Sequence, residues 1–324
     1  MRVLSDWIEV TRVREWDASK AALLLLPLLL ASGPVAPRAW IGAVLFGAGF
    51  FASAYVVNDL SDRACDTLAG KRRPIHGWSQ SSGLTFATVH LVFSVLGAAM
   101  LPVRAPGLFA AAIVLSYTSL FGYSVRPVRW KERGVWGLLV AAAGQRLFPM
   151  LVVAAAVDAP LLALLLVLSQ TLLQGIRWIL IHQVLDEAAD LRANVRTWTT
   201  DTGSALAGRL LRGAVVPAEA VTAAVLVVSL APGAPVLAGG LALWGVCLPA
   251  WYRVLAERGE PVDWASYRRV PGANFVLLVL PIGLLLAHPS LLGTAAFLSL
   301  SGRHLLWQAR DVAGVFHRST VGAR

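Results

Sequence analysis

One stretch of the sequence, NDLSDRACD, gathers four side chains with oxygen ligands: Asn58, Asp59, Asp62 and Asp66. If the preceding apolar helix continues through this stretch, Asn58, Asp62 and Asp66 lie at i, i+4 and i+8 on one face, with Asp59 beside them. Carboxylates held together repel one another, so the pattern favours a bound cation. Mg²⁺ suits it, because Mg²⁺ takes one or two carboxylates together with waters and phosphate oxygens.

A second acidic cluster, HQVLDEAAD, also follows an apolar segment and places Asp186 and Asp190 at i and i+4, with Glu187 alongside. A single aspartate at such a position is usually just a polar helix end at the water interface. Two clusters on the same side of a helical bundle, however, are able to face each other and hold metal ions that bridge one diphosphate. The pair therefore predicts a Mg²⁺ diphosphate site.

Basic residues follow both clusters and fill a third loop, YSVRPVRWKERG. Such residues are also common topology signals, and that alternative stays open. A mixture of acids and bases at three loops favours phosphate binding, because arginine forks donate to phosphate oxygens and stabilise a leaving negative charge. The predicted diphosphate-binding residues are Asn58, Lys71, Arg72, Arg73, Arg126, Arg129, Arg146 and Arg192.

Two arginines differ from the rest, because Arg146 and Arg177 lie inside apolar segments. A charge at that depth is costly and usually faces a cavity or a partner, so both are functional candidates. The same two helices also carry Gln145, Gln170, Gln174 and Gln183. Hydrogen bonding between helices is the alternative role for these polar groups.

The composition places these clusters in a membrane protein. Hydrophobic residues make up 57% of the chain and charged residues 14%, and the mean hydropathy is +0.68. Soluble domains contain roughly 45–50% apolar and about 25% charged residues. Apolar runs of bilayer length predict nine transmembrane helices, at about 21–36, 39–57, 83–102, 106–123, 135–157, 159–181, 214–231, 235–252 and 272–291.

The predicted organisation has three parts: an interfacial helix over residues 1–20, one transmembrane domain over 21–292, and a basic tail over 293–324. Trp7 and Trp16 suit the headgroup layer. The net charge of +10 lies mainly in alternate loops, which puts the N-terminus and the long polar loops in the cytoplasm. Nine spans then put the basic tail outside, and we expect an interfacial tail helix rather than a re-entrant segment at residues 291–300.

Taken together, NDLSDRACD, the DEAAD of the second cluster and YSVRPVRWKERG resemble the motifs of the UbiA superfamily of intramembrane prenyltransferases. The motifs extend from Asn58 to Asp190, and the nine-span layout extends the likeness over nearly the whole chain. The resemblance implies an all-α bundle of nine transmembrane helices around a central cavity, capped by cytoplasmic loops and open laterally to lipid. Arg12, Arg14 and Lys20 would border the site, although no motif supports them.

The resemblance also implies roles for individual residues. Asn58, Asp59, Asp62, Asp66, Asp186 and Asp190 would bind Mg²⁺ and diphosphate. Lys71, Arg72, Arg129 and Lys131 would hold phosphate oxygens, and Tyr123 would lie near the scissile bond. We therefore take as catalytic candidates Asp62, Asp66, Asp186, Asp190, Tyr123 and Lys131. The sequence KRRPI departs from the shorter family phrase, which leaves the phosphate ligand open between Lys71 and Arg73.

The resulting hypothesis is a Mg²⁺-dependent transferase that ionises a prenyl diphosphate and passes the prenyl group to a lipophilic acceptor of aromatic or quinone type. We expect an integral protein of a bacterial cytoplasmic membrane, in contact with membrane lipid, with its active site facing the cytoplasm. No nucleic acid and no obligate protein partner are inferred. Alternatives are a terpene cyclase on the same scaffold, phosphoribose transfer, which the intact second DxxxD disfavours, and a cation or lipid transporter. Prenyl length and acceptor identity depend on cavity shape.

Overall fold

The computed structural model describes residues 2–68, 70–242 and 275–321, and within these ranges it consists of helices and connecting turns without a strand. Helix α2 is composite, and the others are single rods or rods with one π turn. In chain order the helices are α1 (Arg2–Val10), α2 (Val13–Trp16, Asp17–Ala21, Ala22–Leu25 and Leu26–Leu29), α3 (Pro37–Ser61), α4 (Arg63–Leu68), α5 (Gln80–Met100), α6 (Pro106–Ser124), α7 (Val135–Ala154), α8 (Leu161–Arg192), α9 (Trp198–Thr202), α10 (Ser204–Leu230), α11 (Phe275–Val279 and Leu280–Ala287) and α12 (Leu291–Val321).

Six of the described helices are long and apolar enough to cross a membrane, namely α3, α5, α6, α7, α8 and α10. Each corresponds to a predicted span between residues 39 and 231. The predicted span 272–291 corresponds to the shorter apolar helix α11, and the predicted span 235–252 runs into residues outside the described ranges. The all-α membrane architecture is confirmed, and the count of nine stays a prediction.

The first predicted span, 21–36, differs from the structure, because α2 begins at Val13 and its regular turns end at Leu29. Its leucines from Leu23 to Leu26 are at most 2% exposed. A helix that is apolar all round belongs inside a bundle. Trp16 is also buried and stacks on Phe51, so its predicted place in the headgroup layer is wrong.

Helices α3 and α5 approach each other backbone against backbone. A Cβ at Gly49 would lie 2.4 Å from the carbonyl oxygen of His90, and one at Gly97 would lie 2.2 Å from the backbone nitrogen of Phe46. Small residues permit this distance, and close van der Waals packing is a main source of helix association in lipid. The tight pair fixes the direction of α3, whose last turn carries Asn58 and Asp59.

Helix α12 runs beside α2 and α3 from one end of the bundle toward the other. Near its start Gly293 faces the ring of Trp40, which lies in the first turn of α3. Phe297 and Leu300 are buried, and further along Arg303 donates to the carboxylate of Asp17 in α2 at 2.9 Å. The part of α12 from residue 293 to 303 therefore packs inside the bundle, where the sequence had predicted an interfacial tail.

Candidate active site

Both acidic clusters line one cavity of about 290 Å³. The cavity runs from the cytoplasmic-type loops at the ends of α3 and α8 down between α3, α6, α7 and α8. Ten of the predicted site residues line it: Asn58, Asp59, Asp62, Asp66, Lys71, Arg73, Tyr123, Lys131, Asp186 and Asp190. Residues 128 positions apart in the sequence, Asn58 and Asp186, thus share one wall-to-wall space, as the paired motifs predicted.

The first cluster keeps its helical spacing across a break. Helix α3 ends at Ser61, Asp62 caps it, and α4 begins at Arg63. The backbone nitrogen of Asp62 donates to Asn58 at 2.9 Å, and that of Asp66 donates to Asp62 at 2.8 Å. The i, i+4 and i+8 relation therefore persists, and Asp62 is only 7% exposed.

The loop after α6 folds over this cluster. The hydroxyl of Ser124 donates to the side-chain oxygen of Asn58 at 2.7 Å, and a guanidinium nitrogen of Arg129 lies 3.3 Å from Asp62. Lys131 donates to the same Asp62 carboxylate. The third motif thus supplies two cations to one carboxylate, and Arg129 belongs to the site through that contact.

The N-terminal segment supplies cations that no motif had identified. Arg12, between α1 and α2, donates to Asp59 at 2.9 Å and also pairs with Glu15. Its guanidinium lies 4.6 Å from the ring centre of Tyr55, and Lys20 hydrogen-bonds the hydroxyl of that tyrosine. All four side chains line the cavity together with the acidic cluster. Arg12 and Asp59 are 47 residues apart, so no local spacing could have linked them.

Asp186 and Asp190 occupy the last two turns of α8, one turn apart as predicted. Lys71, from the loop after the first cluster, reaches across the cavity mouth and lies 3.2 Å from Asp186. Tyr123 lies between the clusters, close enough to interact electrostatically with both Asp62 and Asp190. The two clusters are therefore halves of one site.

Asp66 is the member of the first cluster whose ionisation is most opposed by its surroundings. Burial raises the pKa of its carboxyl, and the neighbouring Asp62 and Asp59 raise it further. His76 lies 3.5 Å away and is the closest cationic candidate. A divalent cation at this end of the cavity would relieve the repulsion.

Backbone strain also concentrates here. Within the described ranges, three residues other than glycine have positive φ: Arg12 at 54°, Arg129 at 42° and Asn194 at 52°. Two of them are the arginines that pair with Asp59 and Asp62, and the third lies between Ala193 and Val195, which line the cavity. Such conformations persist where the surrounding structure enforces them, often at functional sites.

Four predicted diphosphate-binding residues lie elsewhere. Arg72, Arg126 and Arg192 are exposed and do not line the cavity, so their roles stay predictions. Arg146 is 3% exposed inside α7, where its side chain packs against Gly175 of α8. Arg177, the other intramembrane arginine, lies 2.8 Å from Glu219 of α10 and links two spanning helices.

The donor set suits Mg²⁺, although the described residues form no ready-made metal cage of three or more His, Cys, Asp or Glu side chains. Each cluster instead offers carboxylate oxygens from one helix end, on opposite sides of the cavity. Mg²⁺ is usually bound by one or two carboxylates with waters and substrate phosphates, rather than by an all-protein cage. Asp59, Asp62 and Asp66 on one side, and Asp186 and Asp190 on the other, fit that mode.

Solved structures share this fold at low sequence identity. A UbiA homolog from Archaeoglobus fulgidus bound to GPP and Mg²⁺ is 16% identical, with a TM-score of 0.57 over 90% of this chain and 99% of that chain. A digeranylgeranylglyceryl phosphate synthase is 14% identical, with a TM-score of 0.61 over 92% of this chain and 99% of that one. A comparison with curated protein sequences gave no significant match.

At the level of sequence, the model of the UbiA prenyltransferase family matches residues 21–278. That range is most of the chain and includes both acidic clusters and the loop between Tyr123 and Gly134. The protein therefore belongs to the UbiA prenyltransferase family.

Proposed function

We propose that the protein is a Mg²⁺-dependent prenyltransferase that takes a prenyl diphosphate and transfers its prenyl group to a lipophilic acceptor. The observation that carries this proposal is the single cavity lined by both carboxylate clusters and by the bases between them. Below the charged mouth its lining becomes largely apolar, with Phe51, Leu120, Val140 and Ile179. A diphosphate at the mouth would thus have room for an apolar tail beneath it.

The structures of the family homolog bound to GPP and Mg²⁺, and to DMAPP and Mg²⁺, support this reading of the cavity. We further propose an aromatic or quinone-type acceptor, as expected from the sequence. The acidic residues lie at helix ends on one side of the bundle, which favours a diphosphate site over a transport path with acids at mid-depth.

In the proposed reaction the carbon–oxygen bond between the prenyl group and the diphosphate breaks, a bond to the acceptor forms, and the acceptor loses a proton. Bound Mg²⁺ supplies electrostatic stabilisation of the departing pyrophosphate. Lys71, Arg129 and Lys131 are close enough to the carboxylates to donate to the phosphate oxygens. The apolar wall below them excludes water from the carbon that becomes electron-deficient.

We also propose that the cavity mouth faces the cytoplasm. The basic loops after α3 and α6 form that mouth, and basic loops are retained on the cytoplasmic side. Because α12 runs parallel to α3 from Trp40 to the level of Asp17, the C-terminus then emerges on the same side. This arrangement removes the conflict between a basic tail and an external location.

The test is incubation of purified protein with Mg²⁺ and prenyl diphosphates of several lengths, with and without a lipid extract, followed by mass spectrometry of the products. Asp62→Asn and Asp186→Asn should each reduce transfer by about 100-fold or more, because each removes a charge that the developing pyrophosphate complex needs. Asp158→Asn is the matched control, since Asp158 is an exposed carboxylate at the other end of the bundle.

Full activity of the Asp62→Asn, Asp186→Asn double variant would refute the proposed site. Release of a hydrocarbon or terpene alcohol without extract would instead indicate cyclisation at the same site. Mg²⁺ removal by a chelator should abolish the reaction, and activity that survives chelation would contradict the metal requirement.

A further inference from the structure

We propose that this cavity takes up Mg²⁺ and a diphosphate only as a coupled pair, because the protein's own basic side chains occupy the carboxylates until phosphate oxygens take those bases over. The inference rests on the proposed function, since it concerns the same site. It adds a binding order that the acidic motifs alone do not contain.

Basic groups from three separate elements contact the acidic residues. Arg12 of the N-terminal segment contacts Asp59 at 2.9 Å, Arg129 and Lys131 of the loop after α6 contact Asp62, and Lys71 contacts Asp186 at 3.2 Å. Asp66 has His76 at 3.5 Å. Only Asp190 among the five described aspartates of the cavity lacks an ion pair within 4 Å in this arrangement, and it faces its neighbour Asp186.

Most of these pairs are substantially dehydrated. The side chains of Asp59 and Asp62 are 2% and 10% exposed, and those of Arg129 and Lys131 are 7% and 12% exposed. A metal ion that took the carboxylates alone would leave ammonium and guanidinium groups buried beside a new divalent charge. Breaking a buried pair without a replacement partner is strongly unfavourable. Mg²⁺ alone should therefore bind weakly.

A diphosphate alone meets the opposite obstacle, because the bases it needs are held by aspartates and its own charge would approach five carboxylates. When both ligands enter, Mg²⁺ takes carboxylate oxygens and the phosphates take the released bases. Every charge then has a partner of opposite sign. The two bindings are coupled for this reason, and coupling free energies of ligand pairs typically correspond to factors of about 5 to 150.

The bond between Lys71 and Asp186 gives the best experimental access to this exchange. Its side chains are 33% and 45% exposed, so it is the outermost link and it joins the two clusters across the mouth. Lys71→Ala frees Asp186 for metal and removes one phosphate donor. The variant should bind Mg²⁺ alone more tightly than the wild type does and bind pyrophosphate with Mg²⁺ more weakly, so the coupling shrinks from both sides.

The experiment measures binding to the purified full chain by calorimetry and by the shift of the thermal unfolding midpoint. The probes are MgCl₂ alone, inorganic pyrophosphate alone, and both, with free concentrations corrected for the complex that the two form in solution. For the wild type we expect pyrophosphate affinity to rise about tenfold or more when Mg²⁺ is present. Arg209→Ala controls for net charge, because Arg209 is exposed on α10 and outside the cavity lining.

The outcomes separate the inference from the proposed function. If both ligands together fail to bind, the diphosphate site itself is refuted. If both bind, but with affinities that do not depend on each other, the function stands and the coupled exchange is refuted. A Lys71→Ala variant whose affinity for Mg²⁺ alone equals that of the wild type and of Arg209→Ala likewise overturns the exchange, whereas a selective gain for Mg²⁺ alone supports it.

Discussion

Replacing Glu219 with glutamine should destabilise the protein strongly without touching the cavity. Glu219 and Arg177 form an ion pair at 2.8 Å between α10 and α8, with side chains 5% and 2% exposed. Neither residue lines the cavity. The change keeps the size of the side chain and removes only its charge, so packing is preserved and the effect is electrostatic.

The magnitude follows from what stays behind. Removing one partner of a buried ion pair costs about 3–5 kcal/mol, because the other charge is left without compensation. Here the loss is aggravated by Arg146, which is also buried and lies close enough to Arg177 for electrostatic repulsion. The polar layer would change from two positive groups and one negative group to two positive groups with none. We therefore expect the upper part of that range.

The assay is reversible unfolding in mixed micelles, followed by tryptophan fluorescence, with transferase activity measured at low temperature. Asp201→Asn is the matched control, because it removes the same kind of charge from the exposed pair with Arg196 and should leave stability near that of the wild type. Replacing both Arg177 and Glu219 by apolar residues should recover much of the loss. A Glu219→Gln protein within about 1 kcal/mol of the wild type would refute the reasoning.

Two further predictions concern the scaffold. Gly49→Ala puts a methyl group 2.4 Å from the backbone of α5 and should cost about 1–3 kcal/mol or more in unfolding experiments, whereas Gly33→Ala, with open space around it, should be neutral; equal stability of the two variants would contradict the close helix pair. In a cysteine-free background, Ser319→Cys should be protected from an impermeant thiol reagent added outside intact cells and Ser32→Cys should react; labelling of Ser319→Cys from outside would place the C-terminus on the wrong side for the proposed topology.

Much of the site follows from local spacing. Asp186 and Asp190 needed only a continuous helix to share a face, and the spacing of Asn58, Asp62 and Asp66 survived even the break at Asp62. Hydrophobic runs likewise located the six long helices, because bilayer thickness fixes their length. These features depend on residues close together in the chain.

The features that sequence reasoning missed depend on tertiary contacts. Arg12 reaches Asp59 through a left-handed backbone conformation that no glycine or asparagine announces. Trp16 has the amphipathic character of an interfacial residue, yet α12 and α3 enclose its helix and bury it. The direction of α12 was also hidden, because residues 291–300 are too short to span alone and only their packing against α2 and α3 shows their course.

The intramembrane arginines show why charge in an apolar segment has two meanings. Arg177 is fixed between two spanning helices, where its pairing with Glu219 has no competing ligand from the cavity. Lys71 and Lys131 extend from loops at the cavity mouth, so a phosphate is able to take them from their carboxylates without moving a helix. Both kinds of pair satisfy buried charge, but only the loop-borne kind is exchangeable. Where the cation is anchored, rather than how deeply it is buried, therefore separates a structural ion pair from a catalytic one in this bundle.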